Sequence, residues 1–402
     1  MKNVLLILLV LLFLIGNTVG LYAALTSRSL QVWDFQPLWQ AGRWIVEERG
    51  DPYSAEMTLL LQMQSYGRPA REGEDPRAFV YPLYVLLLVA PLIFLPLPWA
   101  QAAWFTILEA GLIFGAIGSA RLVGWRLSLR RMLFVVTCSL LLYPLSWALI
   151  LGQVSIPVFA LMIGTLLALR ARREVWAGIC LALATAKPQM TFLLAPALLL
   201  WSLGQRRYRF VVSFAAAMGV LLLLSFAVLP GWPLGLVRAG AGYFEVQPFS
   251  PPVAMLGEAI AGEWGWVVTV ALMLSLLAGL GWAWRREWRA ASLPLWAIGF
   301  TLVVTTLVAP RTSMVNQVML LLPLCAFLAD LTRRRRLRFL AVAIPAVLVA
   351  GLWAVDLLWF PPLNSGAHWH AQQQIISPVL PVLLLIGLAA RPWLARKGAY
   401  EP

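Results

Sequence analysis

VLLILLVLLFLIGNTVGLYAA, from Val4 to Ala24, carries no charged side chain. At a rise of about 1.5 Å per residue, a helix of that length crosses roughly 30 Å of hydrocarbon. MLFVVTCSLLLYPLSWALI, from Met132 to Ile150, is equally free of charge. A membrane-spanning strand would alternate apolar and polar residues, and neither run does, so both read as helices. Similar apolar runs recur at Phe79 to Leu97, Trp99 to Ala120, Ser155 to Leu169, Val175 to Leu203 and Phe210 to Leu229. Five more follow, at Trp266 to Trp284, Leu293 to Ala309, Val318 to Leu331, Leu337 to Leu358 and Ile376 to Ala390. The pattern predicts an all-α polytopic membrane protein of about twelve spans.

The composition agrees. Of the 402 residues 61% are hydrophobic and 12% charged, against about one quarter charged in an ordinary soluble domain. No repeat, low-complexity tract or inserted soluble domain is visible, so residues 1–402 read as one integral membrane domain. The net charge of +14 sits in short loops: Arg121 to Arg131, Arg170 to Arg173, Arg206 to Arg209, Arg285 to Arg289, Arg333 to Arg336 and Arg391 to Lys397. That distribution suits topology and lipid headgroups and excludes nucleic acid as a partner. Cys138, Cys180 and Cys325 lie in apolar segments without CxxC spacing and read as packing residues.

The first apolar run is long for the h-region of a signal peptide, so a retained first helix with a cytoplasmic amino end is expected. Placing the later basic clusters inside leaves residues 230–264, 310–317 and 360–375 outside. The amino-terminal half does not alternate so simply. Arg121 to Arg131 falls on the outer face unless one of the two preceding apolar runs is re-entrant, and Val175 to Leu203 is either one tilted span or two half-spans bent at Lys187-Pro188.

Residues 25–78 form a first outer loop that holds Asp34, Glu47, Glu48, Asp51, Glu56, Glu72, Glu74 and Asp75, nearly half of the chain's 17 acids. Trp33, Phe35, Trp39, Trp44 and Ile45 are interleaved there as in a short amphipathic helix at the membrane interface. Asp34 is framed by two aromatic residues and is placed to take a proton from a hydroxyl, although Asp is also a common helix N-cap. Lys187 sits within a long apolar window beside Pro188, and an ionisable group at such depth faces a cavity, a partner or a ligand, unless it snorkels to the headgroups or caps a bent helix. Gln153 reads as part of a turn and Tyr81 as an interfacial aromatic at a helix start. Arg311, on the expected outer face, has the fork geometry that grips phosphate. His368 and His370 lack a matched carboxylate and read as solvated loop residues rather than metal ligands.

Four motifs occur in an order that resembles glycosyltransferase family 87. They are Asp34 followed by Leu38-Trp39-Gln40-Ala41 and Gly50-Asp51-Pro52-Tyr53; Phe79-Val80-Tyr81-Pro82 running into Ala90-Pro91-Leu92; Gly152-Gln153-Val154-Ser155; and Ala177-Gly178 followed by Lys187-Pro188. Leu83 stands where the family usually has a second proline and Ser155 where it has asparagine. Ala309-Pro310-Arg311 replaces a Ser-Pro start with a histidine soon after. The resemblance implies a GT-C fold, a polyprenyl-phosphate-sugar donor (typically mannose), and an acceptor hydroxyl on a lipid or glycan. It also implies a bacterial plasma membrane with the active site on the outer face.

In that scheme Asp34 is the catalytic base and the sugar configuration inverts. Lys187 and Arg311 offset the charge of the departing lipid phosphate, and Gln153, Tyr53 and Tyr81 complete the substrate site. The scheme needs Asp34 and Lys187 to share one hollow. No cofactor is expected, nor a metal, because the leaving group is a monophosphate and the acidic loop lacks ligand spacing. The rival readings are a transporter or flippase of a lipid-linked or anionic substrate, for which a paired broken helix is missing, and a non-catalytic scaffold.

Overall fold

The computed structural model describes residues 2–27, 33–72, 74–125, 128–246, 251–290, 292–310, 313–360, 368 and 371–390. Among the described residues every regular element is helical. In chain order these are α1 Lys2–Ser27, α2 Gln36–Glu47, α3 Ala55–Tyr66, α4 Leu97–Leu122, α5 Leu129–Leu141, α6 Tyr143–Ile150, α7 Ser155–Arg170, α8 Glu174–Ala184 and α9 Pro188–Thr191. They continue with α10 Leu194–Gly204, α11 Tyr208–Val228, α12 Trp232–Val246, α13 Pro252–Ala261, α14 Gly265–Glu287, α15 Leu295–Val308, α16 Leu321–Arg333, α17 Leu340–Trp359 and α18 Val379–Ala390.

Against the expectation of about twelve spans, six helical runs among the described residues are long and apolar enough to cross a membrane: Leu97–Leu122, Tyr208–Val228, Pro252–Glu287, Met314–Arg333, Leu340–Trp359 and Gln372–Ala389. The pair α5 and α6, bent by 67°, makes a seventh if it counts as one span. Apolar side chains point outward as freely as inward, with Val212, Leu223, Leu274, Leu357 and Leu358 all exposed. Water would penalise such a surface and lipid does not. The chain is an integral membrane protein.

The remaining apolar runs are shortened by identifiable breaks. Between Phe79 and Leu97, Pro82, Pro91 and Pro96 each lack a helix donor, and the segment forms two 3₁₀ turns, Leu83–Leu88 and Ala90–Leu92. Of the two apolar runs before Arg121, only the second is therefore a continuous α-helix. The run from Val175 to Leu203 breaks into α8, α9 and α10, with Lys187 extended (φ −123°, ψ 83°) ahead of Pro188. Leu142 leaves the helical region (ψ 120°) between α5 and α6, and Pro144 enters the first turn of α6, where no donor is needed.

The chain packs as two compact units. The first comprises Met1–Gly111, Leu149–Pro157 and Leu221–Gln247, and the second Leu112–Ala148, Val158–Val220 and Pro248–Pro402. In the first, α1 is tied to α4 by polar contacts within apolar surroundings. Asn17 donates to Glu109 Oε2 at 2.6 Å and to Thr106 at 3.2 Å, and Thr18 and Thr106 hydroxyls are 2.9 Å apart. Tyr22 stacks on Trp99 with ring centroids 3.9 Å apart. Such pairs hold helices together in a medium that supplies no hydrophobic drive between them.

In the second unit α15 is buried along almost its whole length and packs against α9, α10, α14, α16 and α18. Gly115 and Gly118 let α4 approach α7, since a Cβ there would lie 2.4 Å from the Phe159 ring and 2.5 Å from Ile163. Gly178 does the same between α8 and α11, where a Cβ would meet the Phe214 backbone nitrogen at 2.6 Å.

Candidate functional site

Residue Asp34 lies in the turn that precedes α2, but it is not the cap of that helix. Phe35 holds the cap position, and no side chain there bonds the helix start. The Asp34 carboxylate instead accepts a hydrogen bond from Gln153 Nε2, across 119 residues of sequence. Its backbone N–H donates to the Leu151 carbonyl at 2.9 Å. The intervening Gly152 has φ +76°, a left-handed turn that glycine adopts without strain. The Gly152 carbonyl accepts from Trp104 Nε1 at 2.8 Å, and Trp104 stacks on Phe35 with centroids 5.3 Å apart. Asp34 and the Gly-Gln turn thus fix each other through backbone, side chain and ring contacts.

A second carboxylate belongs to the same unit. Asp75 Oδ1 accepts the Arg77 backbone N–H at 2.7 Å, and Oδ2 accepts the Tyr243 hydroxyl at 3.1 Å. Arg77 is 5% exposed and sits at φ +57°, a conformation that costs a non-glycine residue free energy. Its guanidinium donates to the Trp33 carbonyl at 2.7 Å and to Ser65 Oγ at 3.1 Å, and lies over the Trp33 ring at 5.0 Å. Because Trp33 precedes Asp34 in the chain, Arg77 links the Asp75 loop to the backbone that carries Asp34.

Tyr81 and Tyr243 lie near these carboxylates, and Tyr53 is bonded to Tyr81. The Tyr53 hydroxyl donates to the Tyr81 carbonyl at 2.7 Å, and the Tyr53 ring tilts against Phe79 with centroids 5.2 Å apart. Burial, followed by the negative charges of Asp34 and Asp75, pushes the Tyr81 hydroxyl up, with Arg77 acting in the opposite sense. Burial and the same two carboxylates push Tyr243 up, and burial with Asp51 does so for Tyr53. All three remain neutral hydroxyls at ordinary pH.

Of the other residues singled out from sequence, Lys187 belongs to the second unit and is 3% exposed, so the snorkelling alternative does not hold. It occupies the position before α9 without a side-chain bond to the helix start, and α9 packs on α15. Arg311 lies outside the described residues, as does His370. His368 corrects the expectation of a solvated loop, being 1% exposed. Its Nε2 is 3.1 Å from Asp356 Oδ1 and 2.8 Å from Gln372 Nε2, and the Tyr143 hydroxyl donates to the same Asp356 oxygen at 2.6 Å. Three irregular points of the second unit meet in this network: the α5–α6 bend at Tyr143, the last turns of α17 at Asp356, and the π-helical Gln372–Ile376. Each partner takes the place of water at a polar group inside an apolar span. Among the described residues no group of three or more His, Cys, Asp or Glu is placed to hold a metal ion.

The sequence model of glycosyltransferase family 87 matches residues 79–310. The chain belongs to glycosyltransferase family 87. It is a membrane glycosyltransferase, acting on a sugar donor and an acceptor. No curated protein and no solved structure matches the chain. The family 87 match contains Tyr81, Gln153 and Lys187, while Asp34, Tyr53 and Asp75 precede it.

Sequence reasoning passed over Asp75, Arg77 and Tyr243 in the family 87 chain. Asp75 was one acid among many in the loop, and no local spacing marks it. Asp356 was more legible, as an acid within the otherwise uncharged run from Phe339 to Phe360.

Proposed function

We propose that this family 87 enzyme transfers a hexose, mannose in the first instance, from polyprenyl phosphate to a hydroxyl of a lipid or glycan acceptor. The site faces the outer side of the membrane, and the anomeric configuration inverts. The observation that carries the reading is the fixed Asp34 carboxylate. It is aimed by Gln153 and by its own backbone bond to Leu151, with neutral tyrosine hydroxyls nearby. A carboxylate so held can take the acceptor proton while the hydroxyl oxygen attacks the anomeric carbon from the face opposite the phosphate. The bond from that carbon to the phosphate oxygen breaks with both electrons on oxygen, and the polyprenyl phosphate leaves as an anion.

In the same proposal Lys187 meets the leaving phosphate, because a buried ammonium offsets a developing negative charge without reorganising water. Arg311 shares that role, and Tyr53 and Tyr81 shape the substrate side of Asp34. No observation favours a transporter.

The test is incubation of the purified full chain with labelled polyprenyl-phosphate mannose and a panel of lipid and glycan acceptors. Asp34→Asn keeps an oxygen for the Gln153 amide and so should fold, while transfer falls by roughly 100- to 10,000-fold, the usual worth of a general base. Full activity in Asp34→Asn would remove Asp34 from the chemistry. Flux of an unaltered substrate into proteoliposomes, without a new glycosidic bond by mass spectrometry, would replace the transferase reading altogether.

A further inference from the structure

We infer that the crevice among α5, α16 and α17 seats one acyl chain of an anionic phospholipid, with the headgroup on the arginines at one end and an ester carbonyl on the Trp125 indole N–H. The site lies wholly within the second unit and does not depend on the role of Asp34. Its walls are residues between Phe134 and Leu142 on α5, residues between Leu321 and Leu328 on α16, and Pro345 and Val349 on α17, with Trp125 beyond the end of α4. Cys138, Ser139 and Cys325 are small and leave the gap, whose empty space, counted out to its open side, is about 390 Å³. From Phe134 to Leu142 it runs about 12 Å at 1.5 Å per residue. One leaflet of a 30 Å hydrocarbon core is about 15 Å deep.

The crevice wall holds one stranded donor. The Ser139 hydroxyl is spent on the Val135 carbonyl at 2.7 Å. The Trp125 indole is 7% exposed, and its N–H has no acceptor among the described residues. A donor left so costs free energy until an acceptor arrives. The occupant that fits brings an apolar chain and an acceptor close to its head. A phospholipid has both, because its ester carbonyls lie between the phosphate and the chains. A polyprenyl phosphate has no carbonyl to offer.

Charge sets the headgroup. Arg333 Nη2 donates to the Val123 carbonyl at 3.3 Å and Arg338 Nε to the Thr332 carbonyl at 3.1 Å, so the ends of α4 and α16 and the start of α17 lie together. Arg130 stands one turn before Phe134, on the same face of α5. Arg130, Arg333, Arg336 and Arg338 are all exposed. Asp330, the one acid in residues 112–142 and 321–349, is held by Arg334 at 2.9 Å. Leu129, Leu133 and Phe339 are exposed beside these arginines. A soluble anion would meet the charges and gain nothing from the apolar margin, whereas an anionic lipid meets both.

Photocrosslinking of the full chain in phosphatidylcholine nanodiscs tests the assignment, with phosphatidylglycerol carrying a diazirine in one acyl chain as the probe. Mass spectrometry should map the label to the crevice walls on α5, α16 and α17, roughly fivefold or more above that from the same diazirine on phosphatidylcholine. Unlabelled diester phosphatidylglycerol should displace the probe roughly threefold better than its diether analogue, and Trp125→Phe should make the two alike. Arg130→Gln combined with Arg338→Gln should bring phosphatidylglycerol toward the level of phosphatidylcholine. Val349→Phe fills the crevice and should lower labelling by both lipids. Equal labelling by the two lipids overturns the inference. So does an unaltered chain that does not tell diester from diether, or displacement by polyprenyl phosphate as effective as by diester phosphatidylglycerol. These three comparisons use the unaltered chain and stand even where a variant does not fold.

Discussion

Gly235 on α12 offers a test that couples packing to chemistry. A Cβ added there would lie 2.8 Å from Tyr53 Cδ2 and 3.0 Å from both Cβ and Cγ of Tyr53. Ordinary contact begins near 3.4 Å, and two of the three atoms belong to the root of the side chain, so Tyr53 cannot simply rotate away. The ring must move by roughly 0.5–1 Å, a displacement of the size that overpacking of a tight core forces. The Tyr53 hydroxyl would then leave the Tyr81 carbonyl, now 2.7 Å away, because such bonds weaken beyond about 3.0 Å. Overpacking costs about 1–3 kcal/mol, against a gain of about 0.8–1.0 kcal/mol from replacing glycine in a helix. Gly242→Ala on the same helix is the control, since nothing lies within 4 Å of its added Cβ. It should stabilise α12 or leave it unchanged. Gly235→Ala should be less stable than Gly242→Ala by about 1–3 kcal/mol and lose up to about 100-fold in transfer rate, the effect of misplacing a substrate-side group by roughly 1 Å. Thermal unfolding in nanodiscs and initial rates with labelled donor measure both. Equal rates and equal melting temperatures in the two alanine variants would refute the claim that Tyr53 positions Tyr81.

Three further outcomes follow from the geometry. Gly178→Ala should cost on the order of 2–3 kcal/mol, because the new Cβ meets the Phe214 backbone nitrogen at 2.6 Å and Ser213 at 2.8 Å, and detergent melting curves will show it. Asp356→Ala should cost on the order of 3 kcal/mol by stranding buried donors, including the Tyr143 hydroxyl, whereas Asp356→Asn keeps an acceptor oxygen and should cost less in the same assay. The Glu74 carboxyl is held at about 2, mainly by its hydrogen bond to Arg68 and then by the Arg71 backbone N–H. A folded value below the unfolded one means that this contribution is fully present above about pH 4.5 and is lost as pH falls toward 2. Hydrogen exchange across residues 68–77 should therefore stay slow at pH 5 and rise only below about pH 4, and Arg68→Gln should move that rise upward.

Why some of the molecule was legible and some was not has a physical basis. Helix against loop is written locally, since a charge-free run such as Tyr208 to Val228 can satisfy its backbone in lipid only as a helix. The number of crossings is not local. Between Phe79 and Leu97, hydropathy registers the leucines, while the prolines decide that no continuous helix forms. Lys187-Pro188 was readable because both residues break the surrounding pattern at one point. Asp34 was readable as a base or a helix cap and Gln153 alone only as a turn residue, and their pairing joins positions 119 apart in sequence. His368 misled because its carboxylate partner, Asp356, stands on another element beyond a proline-rich stretch.

Apart from the Asn17–Glu109 contacts between α1 and α4, the polar groups described above gather where a helix is interrupted, and the hydrocarbon solvent supplies the reason. An interruption frees carbonyls and N–H groups that water cannot reach, so it persists only where a side chain takes up the freed group. Trp104 does so for the Gly152 carbonyl at 2.8 Å, Tyr53 for the Tyr81 carbonyl at 2.7 Å, and Trp353 for the Leu141 carbonyl at 2.9 Å. Each such donor is aromatic, so it brings a rigid ring along with its single polar hydrogen. Side chains recruited to repair the backbone thereby fix the turn in which the Asp34 carboxylate keeps one orientation. The Asp34 turn, the Gly152-Gln153 turn and the 3₁₀ stretch after Pro82 are three such repairs within one unit. The irregularities that hide the site from hydropathy are, on this account, the condition for having polar chemistry in a lipid-solvated protein.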